Sequence, residues 1–189
     1  MSALEKNKVR LSNGASPEDI IFCFVGLVVR RKGIDLICQA FPHVLREYPQ
    51  SRLWVIGPKS HVESRHIHDD EVGEYLHLLE PVKGRVNFFG NITDRTELAK
   101  ILASADVFLF PTRQEGFGLA PVEAMACGVP PIIAQIPGVT DLANVEGLTG
   151  LYITPESEQE LELAMKQLAS DKGLRESMGK AARIKVEDK

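Results

Sequence analysis

Asp106–Ala134 reads DVFLFPTRQEGFGLAPVEAMACGVPPIIA, and this stretch decides the fold. A short apolar run, Asp106–Pro111, is followed by a loop holding Gly116 and Gly118, then by helix-compatible Leu119–Cys127, then by a second apolar run, Pro131–Ala134. Short β-branched and aromatic runs of this kind read as buried parallel strands, and a strand–helix–strand succession is a βαβ unit. The same alternation extends in both directions. Ile21–Leu27, Arg52–Gly57, Arg85–Gly90 and Gly150–Ile153 read as further strands. Ile34–Tyr48, Asp94–Ser104, Glu158–Ala169 and Leu174–Lys185 carry apolar residues at helical spacing, with Asp94 a candidate N-cap and Pro42 expected to kink its helix. The fold class is therefore α/β: a Rossmann-like, doubly wound parallel sheet of about six strands with helices on both faces. Residues 1–19 are expected to be a linker or leader, and residues 20–189 the folded domain. Both ends of the chain read as cut, which makes this one expected domain of something larger.

The 189 residues suffice for one domain with a sizeable core, and 44% hydrophobic with 25% charged residues argues against a disordered or disulfide-scaffold chain. No apolar run approaches the ~20 residues of a membrane span, and MSALEKNKVRLSNGASPEDI has no apolar stretch of the signal-peptide kind. Cys23, Cys38 and Cys127 lie in apolar segments without metal-like spacing, so buried reduced thiols and a cytoplasmic location are expected. A net charge of −4 argues against a general nucleic-acid binder. The charge is uneven: residues 1–60 hold nine Lys or Arg against five Asp or Glu, and the rest thirteen against twenty-one. The positive excess peaks at Arg30-Arg31-Lys32, just after the first strand, and reads either as a solvated turn or as a local anion site.

In an open α/β sheet, ligands bind beyond the carboxyl ends of the strands. Gly116 and Gly118 let backbone approach a ligand closely. Pro121 suits the first helical turn, leaving the Leu119 and Ala120 amides as donors at a positive helix end. Glu123 can accept two hydrogen bonds from a vicinal diol such as a ribose, or simply complement the helix dipole; Glu115 faces a ligand beside the phosphate, or solvent. Lys32 can reach a diphosphate at this edge. The turns at Gly57-Pro58 and Gly90-Asn91-Ile92 either pack on a flat base or are ordinary turns. His66, His68, Asp69, Asp70 and Glu71 match no rigid metal site and suit a polar loop leading into a helix, so no metal is expected.

Taken in order, several motifs resemble the family-four (group one) retaining glycosyltransferases: Phe24-Val25-Gly26 with Arg31-Lys32-Gly33-Ile34-Asp35-Leu36, Ala105–Pro111, Glu115–Leu119, and Glu123–Pro130. Pro137-Gly138-Val139 and Glu146–Leu151 fit the same family, and Glu115 with Glu123 forms its Glu-x7-Glu motif. The resemblance spans roughly residues 20–185. It implies half of a GT-B architecture, in which two Rossmann-like domains flank a cleft; this chain resembles the C-terminal, donor-binding half. By that resemblance Lys32, with Arg31 nearby, binds donor phosphates, and Glu123 binds the ribose. The amides around Gly116, Phe117, Gly118, Leu119 and Ala120 hold sugar hydroxyls and phosphate. Glu115 touches the donor sugar near the reacting carbon, and the Gly57 and Ile92 turns flank the base. The implied partners are a UDP- or GDP-sugar donor and an N-terminal acceptor domain, with no cofactor or metal; any peripheral contact with a membrane would run through that other half. The family usually has Arg directly after the first strand's Gly, and this chain has Leu27. Either Arg30 or Arg31 compensates, or donor binding is weakened.

A full-length protein of this kind is expected to transfer a hexose with retention, the isolated domain being inactive. A non-catalytic nucleotide-binding or scaffolding subunit of the same descent is the alternative, motivated by Leu27. A sugar-nucleotide epimerase or a phosphorylase comes third, against the Glu-x7-Glu spacing.

Overall fold

β1 (Ile20–Val25) is buried over five of its six residues, which requires neighbours on both edges and layers on both faces. The computed structural model describes residues 1–58, 70–116, 118–137 and 147–187, with the backbone alone for 70–72. β1 pairs in parallel with β2 (Ser51–Ile56) on one side and β4 (Val107–Phe110) on the other, so that Phe22 lies beside Leu53 and Val107. With β3 (Val86–Gly90), β5 (Pro131–Ala134) and β6 (Leu151–Ile153), the strands form one six-stranded parallel sheet in the order β3-β2-β1-β4-β5-β6. The chain builds outward from β1 to β3, then crosses back and builds the other way. Right-handed crossovers therefore send the connecting helices of the two halves to opposite faces, and a helix that follows the last strand returns to pack on the first face.

Seven helices accompany the sheet among the described residues: α1 (Ala3–Ser12), α2 (Ile34–Glu47), α3 (Asp70–His77), α4 (Arg95–Leu102), α5 (Leu119–Ala126), α6 (Glu158–Ser170) and α7 (Lys172–Glu187). α2 buries Ile34, Ile37, Phe41 and Val44 and packs against α3 and α6, while α5 packs on α7. Pro42 lies inside α2, which runs continuously from Ile34 to Glu47. Asp94 caps α4 as expected, accepting from the Thr96 and Glu97 amides at 2.7 and 3.3 Å. The core is filled by Phe22, Phe24, Trp54, Phe108, Phe110 and their aliphatic neighbours.

Three expectations need correction. Residues 1–19 hold α1, opened by a capping box in which Ser2 Oγ accepts from the Glu5 amide and Glu5 accepts from the Ser2 amide. Its Arg10, 3% exposed, donates to the carbonyls of Ser104, Pro17 and Asp19 at 3.0 Å and to Asp106 Oδ1 at 2.6 Å. The helix is thereby fastened to the amino end of the sheet. β1 ends at Val25 and not Leu27, because Gly26 turns the chain after one last bond to the Ile56 carbonyl at 2.9 Å. Arg85 closes a 3₁₀ turn, Glu80–Arg85, so β3 starts one residue later than expected.

Cys23, Cys38 and Cys127 are all free. Burial pushes the Cys38 thiol up to about 12 and raises Cys23 further; Cys127 is only half-buried. A groove of about 630 Å³ lies beside α1, α4, α5 and α7, lined among others by Met1, Val9, Lys100, Cys127 and Arg183.

Candidate functional site

The strand order reverses between β1 and β4, so the crevice beyond their carboxyl ends is the topological switch point of the sheet. Two loops meet there. After β1 the chain forms a 3₁₀ turn, Arg30–Lys32, and enters α2 through Gly33 at φ 77°. A Cβ on Gly33 would stand 2.1 Å from the Pro111 carbonyl oxygen, so only glycine lets this turn lie against the loop that follows β4. That loop in turn grips the 3₁₀ turn: the Arg113 amide donates to the Arg31 carbonyl at 2.9 Å, and Thr112 Oγ1 to the same carbonyl at 3.2 Å.

Across this junction Lys32 Nζ forms an ion pair with Glu115 Oε2, both side chains largely shielded from solvent. Burial by itself would raise the Glu115 pKa. The Lys32 ammonium and the Gly116 amide outweigh it, with a contribution from Arg31, and hold the carboxyl below its usual range. Arg31 Nη1 donates to the Gln114 carbonyl at 3.2 Å, which brings its guanidinium onto the glycine-rich loop. Arg30 instead turns toward Asp35, at 3.7 Å. Of the two arginines near Leu27, Arg31 is the one placed on the site side. Leu27 is exposed.

Gly118, in the left-handed region, is the N-cap of α5 and has no side chain to cap it, so the Leu119 and Ala120 amides begin a helix without a side-chain acceptor. The Gly116 amide is differently engaged, donating to Glu115 Oε1 at 3.0 Å. Glu123 is exposed on α5, one turn in. The turns after the first three strands hang together. The Gly57 amide donates to the Gly90 carbonyl at 2.8 Å and the Val28 amide to the Pro58 carbonyl at 3.1 Å. A Cβ on Gly57 would come within 1.8 Å of the Gly26 carbonyl oxygen, so the turn is pure backbone by necessity. Ile92, two residues beyond β3, is half-buried against the core.

Lys32 and Glu115 are thus joined directly, Arg31 reaches the same loop at the Gln114 carbonyl, Gly57 and Ile92 line the neighbouring turns, and Gly118, Leu119, Ala120 and Glu123 stand at the head of α5. Phe117 lies outside the described residues, as do His66, His68 and Asp69, Gly138-Val139 and Glu146; Asp70 and Glu71 begin α3, described there by backbone alone. Elsewhere, ligand atoms of His43, Glu158 and Glu162 lie within 4.8 Å of one another. Glu162 accepts from His43 Nδ1 at 2.8 Å and pairs with Lys166 at 2.7 Å, and Lys166 pairs with Glu47, also at 2.7 Å. This is an ion-pair network fastening α2 to α6.

Sequence reasoning passed over Arg113 and Asp35. Arg113 Nη1 and Nη2 donate to the two Asp35 oxygens at 2.7 Å each, Nη1 also bonds the Arg30 carbonyl, and Nε reaches Glu156 Oε1 at 2.8 Å. Burial opposes the guanidinium charge, but Asp35 and Glu156 outweigh it and raise the Arg113 pKa.

A family model described as "Glycosyl transferases group 1" matches residues 5–185. The sulfoquinovosyl transferase SQD2 of Arabidopsis thaliana is 30% identical over 186 residues, which are 97% of this chain and 33% of that protein. Anabaena HepE, solved with UDP and glucose, superposes with a TM-score of 0.85 at 22% identity over all of this chain and 48% of its own. The C-terminal domain of a group 1 glycosyl transferase, LpcC from Francisella tularensis, superposes at 0.84 with 22% identity, covering 97% of this chain and 92% of that domain. The chain spans less than half the length of the curated relatives it matches.

Proposed function

This chain belongs to the group 1 glycosyltransferases, and on that premise we propose that it is the donor-binding half of an enzyme that transfers a hexose from a nucleoside diphosphate with retention. The observation that carries the reading is the Lys32–Glu115 ion pair at the switch point, flanked by Arg31 and the uncapped head of α5. HepE was solved with UDP and glucose, and the same fold here supports a nucleotide-sugar donor.

In this reading Lys32, Arg31 and the Leu119 and Ala120 amides take the diphosphate, with the dipole of α5 behind them. Glu123 accepts from the ribose hydroxyls. The backbone turns at Gly57 and Ile92 flank the base, and Glu115 faces the sugar beside the reacting carbon. In the transfer, the bond from the anomeric carbon to the diphosphate oxygen breaks and its electron pair leaves with the diphosphate. An acceptor oxygen forms the new bond, and its proton passes to the departing diphosphate oxygen. Fixed cationic and amide groups aimed at the departing diphosphate stabilise that charge without reorganising, which is where such a site lowers the barrier. We assign the compensation of phosphate charge to these groups and not to a bound metal ion. The acceptor falls to a second domain. No described helix is long and apolar enough to cross a membrane, and the buried free thiols support a reducing, cytoplasmic setting.

Titration calorimetry with UDP and GDP tests the donor site: binding in the micromolar to millimolar range is expected, weakened by Lys32→Ala and by Glu123→Ala. The absence of heat with either nucleotide at millimolar concentration would overturn it. The exposed Leu27, where the family usually has Arg, favours the second reading, a nucleotide-binding subunit without catalysis. Leu27→Arg tests whether the contact that Arg would make is missing. Unchanged UDP affinity means Arg31 already fills the role; a gain of about tenfold means the site has lost a phosphate contact.

A further inference from the structure

We propose that Asp35 and Arg113 are the positioning pair of this site: their buried bidentate ion pair sets the distance between the Lys32 turn and the Glu115 loop and keeps it constant while Lys32 changes partner. The inference rests on the reading of this edge as a diphosphate site. Asp35 lies three residues after Lys32 and Arg113 two residues before Glu115, so each loop carries one member of both pairs. Lys32–Glu115 faces the ligand side and must open when an anion takes the ammonium. Once it opens, something else must hold the two loops together. The Asp35 carboxylate is 4% exposed, against 19% for that of Glu115, and both of its oxygens are held by Arg113, so this second pair is the less open to competing ions. Arg113 also bonds the carbonyl of Arg30 through its side chain and that of Arg31 through its amide, gripping the backbone from which Lys32 projects.

The guanidinium is held from a third direction as well. Glu156, which bonds Arg113 Nε, is the only non-glycine residue with positive φ among the described ones, at 67°. Such a backbone persists where its surroundings over-determine it. Three elements therefore converge on one guanidinium: the start of α2, the loop after β4 and the turn between β6 and α6. This arrangement preorganises the ligand-facing pair, so that binding does not have to order the loops.

The test compares UDP with uridine by NMR titration, alongside thermal unfolding, for Arg113→Gln and for Asp35→Asn/Arg113→Gln. The double variant removes both charges and leaves no lone buried carboxylate, so it remains readable if Arg113→Gln does not fold. Each variant is made with and without Lys32→Ala. UDP affinity is expected to fall about fivefold to thirtyfold, uridine affinity less than about twofold, and the UDP loss to shrink below about twofold once Lys32 is gone. An equal loss for UDP and uridine, an undiminished loss in the Lys32→Ala background, or no loss at all would overturn the inference. Failure of the donor-site reading looks different: the parent chain would bind UDP no better than uridine, or Lys32→Ala would change nothing, and the positioning role would fall with it.

Discussion

Lys32 and Glu115 satisfy each other's charge, so a diphosphate has to compete with a carboxylate for the ammonium. Replacing Glu115 by Gln removes the competitor while keeping the shape. UDP affinity is therefore expected to rise about threefold to tenfold, the worth of a shielded ion pair. Lys32→Ala acts the other way, at about 1.5–3 kcal/mol, or roughly ten- to a hundredfold in affinity. Calorimetry on the two variants would show opposite signs; a loss in both would mean that Glu115 contacts the nucleotide and does not merely occupy Lys32. Both residues were legible in the sequence, because a basic turn after one strand and a glycine-rich loop after another must meet wherever the two strands are neighbours. Asp35 and Arg113 were not. They are 78 positions apart, and each alone reads as an ordinary first-turn acid or solvated base.

At the scale of elements, the four inner strands, buried on both faces, announce themselves as continuous apolar runs, while the half-exposed edge strands β3 and β6 show only as short aromatic and β-branched runs; all six lie within two residues of expectation. α1 did not announce itself, since it is largely polar and its hold on the sheet comes from Arg10 reaching the Ser104 carbonyl, 94 positions away. Arg10→Ala leaves three carbonyls and Asp106 short of a donor and should cost about 3 kcal/mol. A thermal melt would register this as a drop of roughly 6–12 °C. Asp19 joins β1 to β2 at the same end, paired with Arg52 at 2.6 Å and with Arg85 at 3.2 Å. Burial would raise its pKa, but the Ser16 amide and Arg52 outweigh this and hold it below the usual range. A carboxylate depressed in the folded state adds stability at pH above its unfolded value, and that stability is lost as the pH falls through the folded value. Asp19→Asn should therefore be less stable than the parent at pH 7 and converge with it as the pH falls through the folded value of Asp19, below the usual carboxylate range. Urea unfolding across that range measures the difference.

For the whole molecule, the six-stranded order places every proposed donor contact on one edge of one domain, while the chain covers less than half of its curated relatives. We expect the 189-residue chain to bind UDP, with an affinity unaffected by EDTA, and to release no sugar from a UDP-hexose in the presence of acceptor sugars. Turnover followed by nucleotide release checks this; sustained release of free UDP would mean that one domain supplies the whole reaction. The fold was legible at this scale because strand–helix alternation permits few topologies; the donor's base and sugar were not, because the Gly57 and Ile92 turns would meet a base chiefly through backbone, which no side chain advertises. One further consequence lies at the opposite end of the sheet. Met1, Cys127 and Arg183 border the same groove, so the start of α1, the end of α5 and the later turns of α7 line one concavity. A label attached to Cys127 in this groove would therefore report on the packing of these helices while leaving the connections around the nucleotide edge untouched.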